Sequence, residues 1–251
     1  MKKLIMILAV LLCVGCAAQA KDGYYAIDHF YFKEEGDAFV AAINKTTVDM
    51  YNWYKSIEGE DGVYILHSDH YDDALLEEWR SYHVFDNIPE KGFRYFAVSE
   101  NYLRDRGYEL TEADSEIVRS GVRLYLLPDS MPEEERTLME AFLKEDALQG
   151  LSGDPMIPTV FEAEHAIEFR TYHFEGTLET ENEGGIKDPV IYVCSSANMR
   201  YFESESLIAT GKTDSYIKLT KEAYERFVKN GFPEELRERK ITFLPLSEIR
   251  N

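Results

Sequence analysis

The residues whose types and spacing could support chemistry stand closest together at His67, Asp69 and His70. They come at the end of an apolar stretch, Gly62 to His67, that predicts a strand, and loops at strand ends often carry functional residues. Imidazole and carboxylate groups are among the ligands that bind a divalent metal ion such as zinc. A metal-dependent hydrolase that uses these three residues is therefore one hypothesis. A solvated polar loop explains the same residues, and the sequence favours that interpretation.

The spacing His67-x-Asp69-His70 resembles the latter part of the H-x-H-x-D-H motif of metallo-β-lactamases. The first histidine of that motif falls on Ile65, whose side chain has no atom that binds a metal. We therefore predict no bound metal and no other cofactor. His67, Asp69 and His70 remain the candidate metal ligands of the alternative hypothesis.

Nucleophilic catalysis has less support in the sequence. There is no G-x-S-x-G motif, and Ser195-Ser196 follows a predicted strand without a neighbouring residue that would activate a hydroxyl group. A helix N-cap is the simpler role for these serines. Cys194 ends the apolar run that begins at Pro189, where we expect a small buried side chain rather than a nucleophile. We assign no catalytic residues, and the sequence favours a protein that is not an enzyme.

The N-terminal stretch from Lys2 to Cys16 predicts export. Two lysines precede an apolar run from Leu4 to Val14, which has the length of a signal-peptide core and is short for a membrane-spanning helix. Cleavage before Cys16 would leave that cysteine for lipidation, as in bacterial lipoproteins. Ala18-Gln19-Ala20 predicts instead a cleavage before Lys21 and plain secretion. The third alternative is a retained anchor. We expect lipidation of Cys16 and a location at the outer face of the cell membrane.

The composition predicts a folded, acidic domain. A hydrophobic content of 45% and an aromatic content of 13% argue against general disorder. The net charge of −20 repels phosphate backbones, so we predict no nucleic-acid partner, and it favours cationic partners such as basic peptides. The acidity could also serve only to keep an exported domain in solution. The 17 tyrosines could form a recognition surface, although ordinary packing explains them more simply.

Strand and helix patterns alternate along the rest of the chain and predict an α+β fold, a mixed β-sheet with flanking helices. A strand within residues 22–33, a helix that starts at Asp37 and the strand from Gly62 to His67 predict a β-α-β unit. Gly150 to Pro158 is the best candidate for a linker.

Three segments are predicted from these boundaries. Residues 1–20 form the signal peptide or lipoprotein leader, with cleavage before Cys16 or Lys21. Residues 21–150 and 151–251 then form a single α+β domain or two α+β subdomains that meet near Gly150.

One part of the chain resembles a known family. The stretch Phe96 to Leu103 is similar to the extracytoplasmic region of bacteriocin-associated integral membrane proteins, which are permease-like relatives of the FtsX/MacB class of ABC transporters. The likeness continues through Val122 to Pro128, Ile167 to Phe174 and Asp188 to Val193. In that family a first membrane segment leads into an extracytoplasmic α+β domain, and further membrane helices follow.

This chain departs from the family pattern, because no apolar run outside the leader reaches membrane length. The resemblance therefore implies a detached extracytoplasmic domain or the remnant of a truncated permease, and it implies no catalytic residues. Our expectation is a non-enzymatic, membrane-tethered extracytoplasmic domain that binds a protein or peptide. It would be accessory to an ABC export or bacteriocin-related system, with a membrane transporter among its partners.

Overall fold

One eight-stranded sheet organises the residues that the computed structural model describes, which are 23–148, 165–179 and 184–249. Its strands are β1 Tyr24–His29, β2 Val63–Tyr71, β3 Phe93–Val98, β4 Arg123–Pro128, β5 Ile167–Tyr172, β6 Val190–Val193, β7 Ile217–Thr220 and β8 Thr242–Pro245. They lie side by side in the order β5-β4-β6-β3-β2-β7-β1-β8. The pairs β3/β6 and β4/β5 are parallel and the other pairs are antiparallel. The mixed sheet that the sequence predicts is confirmed.

Helices flank this sheet, as predicted for an α+β fold. They are α1 Asp37–Ile57, α2 Asp73–Tyr82, α3 Glu100–Asp105, α4 Glu112–Arg119, α5 Glu133–Leu148, α6 Tyr201–Glu205, α7 Lys221–Ala223 and α8 Glu234–Glu238. A π-helical segment, Tyr224–Lys229, continues α7. Among the described residues, no helix combines the length and the apolar character that crossing a bilayer requires.

Helix α1 forms because its apolar side chains recur at the spacing of one helix face. Met50, Tyr54 and Ile57 follow one another at steps of four and three residues and are buried in the core. The helix ends at Ile57, and Gly59 then turns the chain with a φ of 79°. Glycine adopts this left-handed conformation without the steric penalty that a side chain brings. The turn brings the end of α1 beside the start of β2.

The sheet has a hydrophobic core on each face, because successive side chains of a strand point to opposite faces. On β3, Ala97 belongs to the larger core, which includes side chains of α1, α2 and α5. Phe96 and Val98 belong to the smaller core on the other face, which includes Tyr102 of α3 and Val118 of α4. The helices therefore cover both faces of the central strands.

The directions of the strands place several chain segments at the same end of the sheet. Strands β3 and β6 are parallel, and both finish at this end of the sheet. Strands β1 and β2 both begin at this end, and each of them is antiparallel to β7, which lies between them. Tyr25 of β1 and Val63 of β2 lie opposite the same residue, Leu219 of β7. We call this end, which carries the start of β1, the N-terminal end of the sheet.

The predicted β-α-β unit does not form as a pair of neighbouring strands. Strand β7 lies between β1 and β2 and hydrogen-bonds to both. The sequence pattern identifies β1, α1 and β2 individually. The backbone groups at the edge of a strand need hydrogen-bond partners, and any strand of the chain can provide them, including one distant in sequence. Here that strand is β7, whose first residue, Ile217, lies 154 positions after Val63, the first residue of β2.

The predicted domain boundary near Gly150 and the linker from Gly150 to Pro158 lie outside the described residues, so they remain predictions. Strands from both sides of this stretch are interleaved in the sheet. Strand β6, for example, lies between β3 and β4, with Tyr192 opposite both Ala97 and Tyr125.

Candidate functional site

A cleft of about 610 Å³ opens at the N-terminal end of the sheet, where β3 and β6 finish. Ligands of mixed and parallel sheets commonly bind beyond the carboxyl ends of parallel strands, because the loops there diverge. Four segments form its walls: the end of α1, the β3-α3 junction, the end of α4 and the turn after β6. The lining residues are Lys55, Glu58, Gly59, Ser99, Glu100, Asn101, Arg104, Val118, Arg119, Cys194, Ser195, Ser196 and Ala197.

Glu58 joins the end of α1 to the turn after β6. Its Oε1 accepts a hydrogen bond from the backbone N–H of Ser196 at 2.8 Å, and its Oε2 accepts one from Ser196 Oγ at 2.5 Å. The Tyr51 hydroxyl group donates to the carbonyl oxygen of Ser196 at 2.8 Å. The two bonds from Ser196 to the Glu58 carboxylate are charge-assisted, and such bonds are stronger than neutral ones. They hold these two walls of the cleft together.

Asn198 fixes the same turn from inside. Its Oδ1 accepts a hydrogen bond from the backbone N–H of Ser195 at 2.8 Å, and its Nδ2 donates to the carbonyl oxygen of Val193 at 2.9 Å. The carbonyl oxygen of Asn198 accepts from Arg123 Nη1 at 3.1 Å. Residues 195–198 therefore have their shape set by side-chain bonds on both sides.

Arg123 is a buried cation, 2% exposed, and its charge is balanced by Glu203. Its Nη2 donates to Glu203 Oε1 at 2.7 Å, and its guanidinium group lies 4.1 Å from the ring centre of Tyr192. Burial by itself lowers the pKa of Arg123, but the nearby carboxylate and tyrosines raise it well above its usual range. Burial likewise tends to raise the pKa of Glu203, and the positive charges of Arg123 and Arg200 lower it overall. Both groups are therefore ionised at neutral pH.

The opposite wall is fixed by the junction between β3 and α3. Ser99 Oγ accepts a hydrogen bond from the backbone N–H of Ile65 at 3.1 Å and donates to Asn101 Oδ1 at 2.6 Å. Asn101 Nδ2 donates to the carbonyl oxygen of Val63 at 2.8 Å. These bonds tie the junction to β2, so the side chains that follow on α3 project from a rigid base.

Basic side chains surround the mouth of the cleft. Arg119 pairs with Glu112 at 3.2 Å and with Glu100 at 3.8 Å. Within the described ranges, Arg104 has an ion pair only with its neighbour Asp105, at 3.7 Å. Lys55 has no carboxylate within 4.0 Å among the described residues. The cleft thus carries three basic side chains beside two carboxylates, Glu58 and Glu100, on a protein whose net charge is −20.

The candidate metal ligands do not come together. Strand β2 extends to Tyr71, so His67, Asp69 and His70 lie within a strand and the predicted polar loop is wrong. Alternation puts His67 and Asp69 on one face and His70, which is exposed, on the other. Strand β2 is longer than the sequence pattern predicts. Its pairing with β3, down to Tyr71 opposite Phe93, extends it through polar residues.

His67 uses both ring nitrogens within the fold. Its Nε2 lies 2.8 Å from Asp69 Oδ2, its Nδ1 lies 3.0 Å from the carbonyl oxygen of Thr213, and its ring stacks on Tyr216 at 4.3 Å. Metal binding at either nitrogen would require one of these hydrogen bonds to break. Across the described ranges, no group of three or more histidine, cysteine, aspartate or glutamate side chains is arranged to hold a metal ion.

The cysteine and the two serines after β6, Cys194, Ser195 and Ser196, all line the cleft. Ser195 and Ser196 lie in a turn, so the predicted helix N-cap is wrong. Cys194 is buried, as predicted, and burial raises the pKa of its thiol well above 9.0, which keeps it protonated. Sequence reasoning missed Glu58 as the partner of Ser196, because no local spacing signals a contact between residues so far apart.

The candidate lipidation site, Cys16, and the whole predicted leader lie outside the described residues. The cleft residues had no motif that sequence analysis could have found. Comparisons of the chain with protein-family models, with curated proteins and with solved structures find no match.

Proposed function

We propose that this chain is a non-enzymatic domain, tethered at the outer face of a membrane, which binds a peptide or a segment of a protein in the cleft. The observation that carries this proposal is the position of the cleft at the N-terminal end of the sheet. The proposed partners belong to an ABC export or bacteriocin-related system, as the family resemblance implies.

The start of β1 supports a cleft close to the membrane. Tyr24 begins β1, and its hydroxyl group accepts a hydrogen bond from Arg106 Nη2 at 3.1 Å, two residues beyond the cleft residue Arg104. An extended chain spans at most roughly 3.3–3.6 Å per residue, so seven residues from a lipidated Cys16 to Gly23 reach about 25 Å. A domain held so closely would present this end of the sheet to partners in the same membrane.

The composition and the cleft together favour a peptide over other ligands. Net negative charge attracts basic peptides and repels nucleic acids and anionic lipids. The volume of the cleft falls within the usual range for sites that take a small ligand, roughly 300–1,000 Å³. It would hold one end or a few residues of a peptide.

The test measures binding of fluorescent basic peptides to the full-length protein in membranes. Ala197 is exposed at the cleft, so Ala197→Trp fills it, and Ala38→Trp makes the same change at an exposed position on the first turn of α1, away from the cleft. We expect Ala197→Trp to abolish binding and Ala38→Trp to preserve it. The proposal is wrong if the wild-type protein binds no peptide and crosslinks to no partner on intact cells.

A further inference from the structure

The charged side chains of the cleft differ in how many hydrogen bonds and ion pairs they make within the protein. Both carboxylates are occupied: Glu58 accepts two hydrogen bonds from Ser196, and Glu100 accepts one from Ser115 Oγ at 2.6 Å. The side chains of Lys55 and Arg104, in contrast, make no hydrogen bond within the described chain. Lys55 Nζ lies 5.9 Å from the ring centre of Tyr51 and has no ion-pair partner there, and Arg104 pairs with Asp105 at 3.7 Å. The cations, not the carboxylates, are therefore available to a ligand.

In having no ion-pair partner, Lys55 differs from most basic side chains of the described residues, although Lys33, Lys212 and Lys221 also lack one. The protein has 47 acidic and 27 basic residues, and most exposed basic side chains near carboxylates form pairs, as Lys45 does with Asp49 at 2.5 Å on the same helix as Lys55. Lysine and arginine both bind carboxylates through charge-assisted hydrogen bonds, and arginine can do so with two parallel bonds.

We infer that the cleft binds the C-terminal carboxylate of a peptide whose other residues are basic, with Lys55 and Arg104 as the groups that recognise it. This inference rests on the proposed function. The ligand must satisfy two electrostatic conditions at different distances. Beyond the screening length, about 8 Å at physiological ionic strength, the net charge of −20 favours a cationic ligand. Within the cleft, the nearest charges available to it are cations.

A free C-terminus meets both conditions because it adds one carboxylate to an otherwise basic chain. It is also the compact end of a peptide, which suits a cleft bounded by the β3-α3 junction on one side and the turn at Ser196 on the other. Ala197, which is exposed at the cleft, provides small apolar surface for the last side chain. The body of the peptide would lie outside, over the acidic surface.

The experiment compares three peptides of one basic sequence: with a free C-terminal carboxylate, with a C-terminal amide, and with the amide plus one internal glutamate. Their affinities for the full-length protein are measured by fluorescence anisotropy. We expect the free carboxylate to bind at least about tenfold more tightly than either amide, since a charge-assisted bond contributes at least this much. Higher salt should reduce the ratio.

The variants identify the groups responsible. Lys55→Gln and Arg104→Gln should each lower the ratio of carboxylate to amide affinity towards one, with the amide affinity unchanged. Lys45→Gln, the same substitution earlier on α1, should leave the ratio intact. All three positions are exposed, so thermal unfolding should be nearly unaffected.

The outcomes separate this inference from the proposed function. Failure of every peptide to bind overturns the inference, and it overturns the proposed function as well if no partner crosslinks to the protein on intact cells. Equal affinity of the carboxylate and amide peptides overturns the inference and leaves the proposed function standing. If the internal glutamate restores tight binding to the amide, a side-chain carboxylate is the ligand, and recognition of the C-terminus is wrong.

Discussion

Glu58 and Ser196 are separated by 138 positions in the chain, yet both carboxylate oxygens of Glu58 accept hydrogen bonds from Ser196. One bond comes from the backbone N–H and the other from the side-chain Oγ. The pair joins the end of α1 to the turn after β6 and so determines the distance between two walls of the cleft. Any ligand of the cleft binds between elements that this contact holds in place.

Replacing Glu58 with alanine should destabilise the protein by about 1–3 kcal/mol, because the N–H and hydroxyl groups of Ser196 lose their acceptor in a partly buried place. Urea unfolding of the two proteins measures the difference. Glu60→Ala is the matched control, since Glu60 pairs with Arg226 at the exposed surface and should contribute less than about 1 kcal/mol. Equal effects of the two substitutions would contradict a structural role for the Glu58 contact.

Loss of the Glu203 side chain should have the larger effect. Glu203→Ala leaves the buried charge of Arg123 without its partner, and breaking a buried ion pair in this way typically costs about 3–5 kcal/mol. Glu168→Ala removes a partner from the exposed Arg170, where less than about 1 kcal/mol is expected. Chemical denaturation followed by tyrosine and tryptophan fluorescence measures both. A change below about 1 kcal/mol for Glu203→Ala would mean that Arg123 is compensated elsewhere.

The same carboxylate should make the stability depend on pH. Although burial opposes ionisation, Arg123 and Arg200 lower the folded-state pKa of Glu203 below 4.5. A carboxyl group with a lowered pKa stabilises the folded state above its unfolded pKa, and this contribution is lost as the pH falls through the folded-state value. The difference in unfolding free energy between wild type and Glu203→Gln should therefore have its maximum value above pH 4.5 and decrease as the pH falls below it. A difference that stays constant down to the acid transition would contradict the assignment.

Zinc should leave the protein unchanged. Because His67 bonds to Asp69 and Thr213 and His70 lies on the other face of β2, we expect no metal in protein purified without chelator and no zinc-dependent rise in the melting temperature. Elemental analysis and thermal unfolding with and without zinc test this. Zinc stabilisation of wild type that disappears in both His67→Ala and His70→Ala would restore the metal-dependent hydrolase hypothesis.

The mature N-terminus should carry lipid on Cys16. Mass spectrometry distinguishes this form, a diacylglyceryl Cys16, from a free Lys21 and from an intact Met1. In cells labelled with a fatty acid, Cys16→Ser should abolish incorporation, whereas Cys13→Ser, within the leader, should leave it intact. A free Lys21 in the wild-type protein would establish plain secretion and remove the tether from the proposed function.

The helices and strands could be predicted well where the spacing of apolar residues shows which side chains are buried. The apolar face of α1, with Met50 and Tyr54, follows from the helical repeat. The run Val122 to Leu127 predicts a strand, which the structure confirms as β4, buried along its whole length. Local spacing did not predict the length of a strand where pairing with a neighbouring strand determines it. Strand β2 continues through His67 and His70 because β3 supplies hydrogen bonds along its whole length.

The candidate site could not be predicted, because the contacts that join its walls link residues far apart in the chain. Lys55, Arg104 and Ser196 stand in three separate regions of the chain and carry no motif. The contact between Arg123 and Glu203, which sets the shape of the turn at Asn198, spans 80 positions. A spacing rule detects residues that share a helix face or a strand face, and these residues share neither.

The sequence by itself determined the acidity of the domain, the α+β class and most of the helices and strands, because these depend on composition and on short-range repeats. The tertiary structure alone decided that β7 separates β1 from β2, that β3 and β6 finish beside each other and that a cleft opens there. Strand order depends on which edges remain unpaired when the whole chain folds. The contact of Glu58 with Ser196 follows from that order, since two distant residues meet only when their elements are already packed.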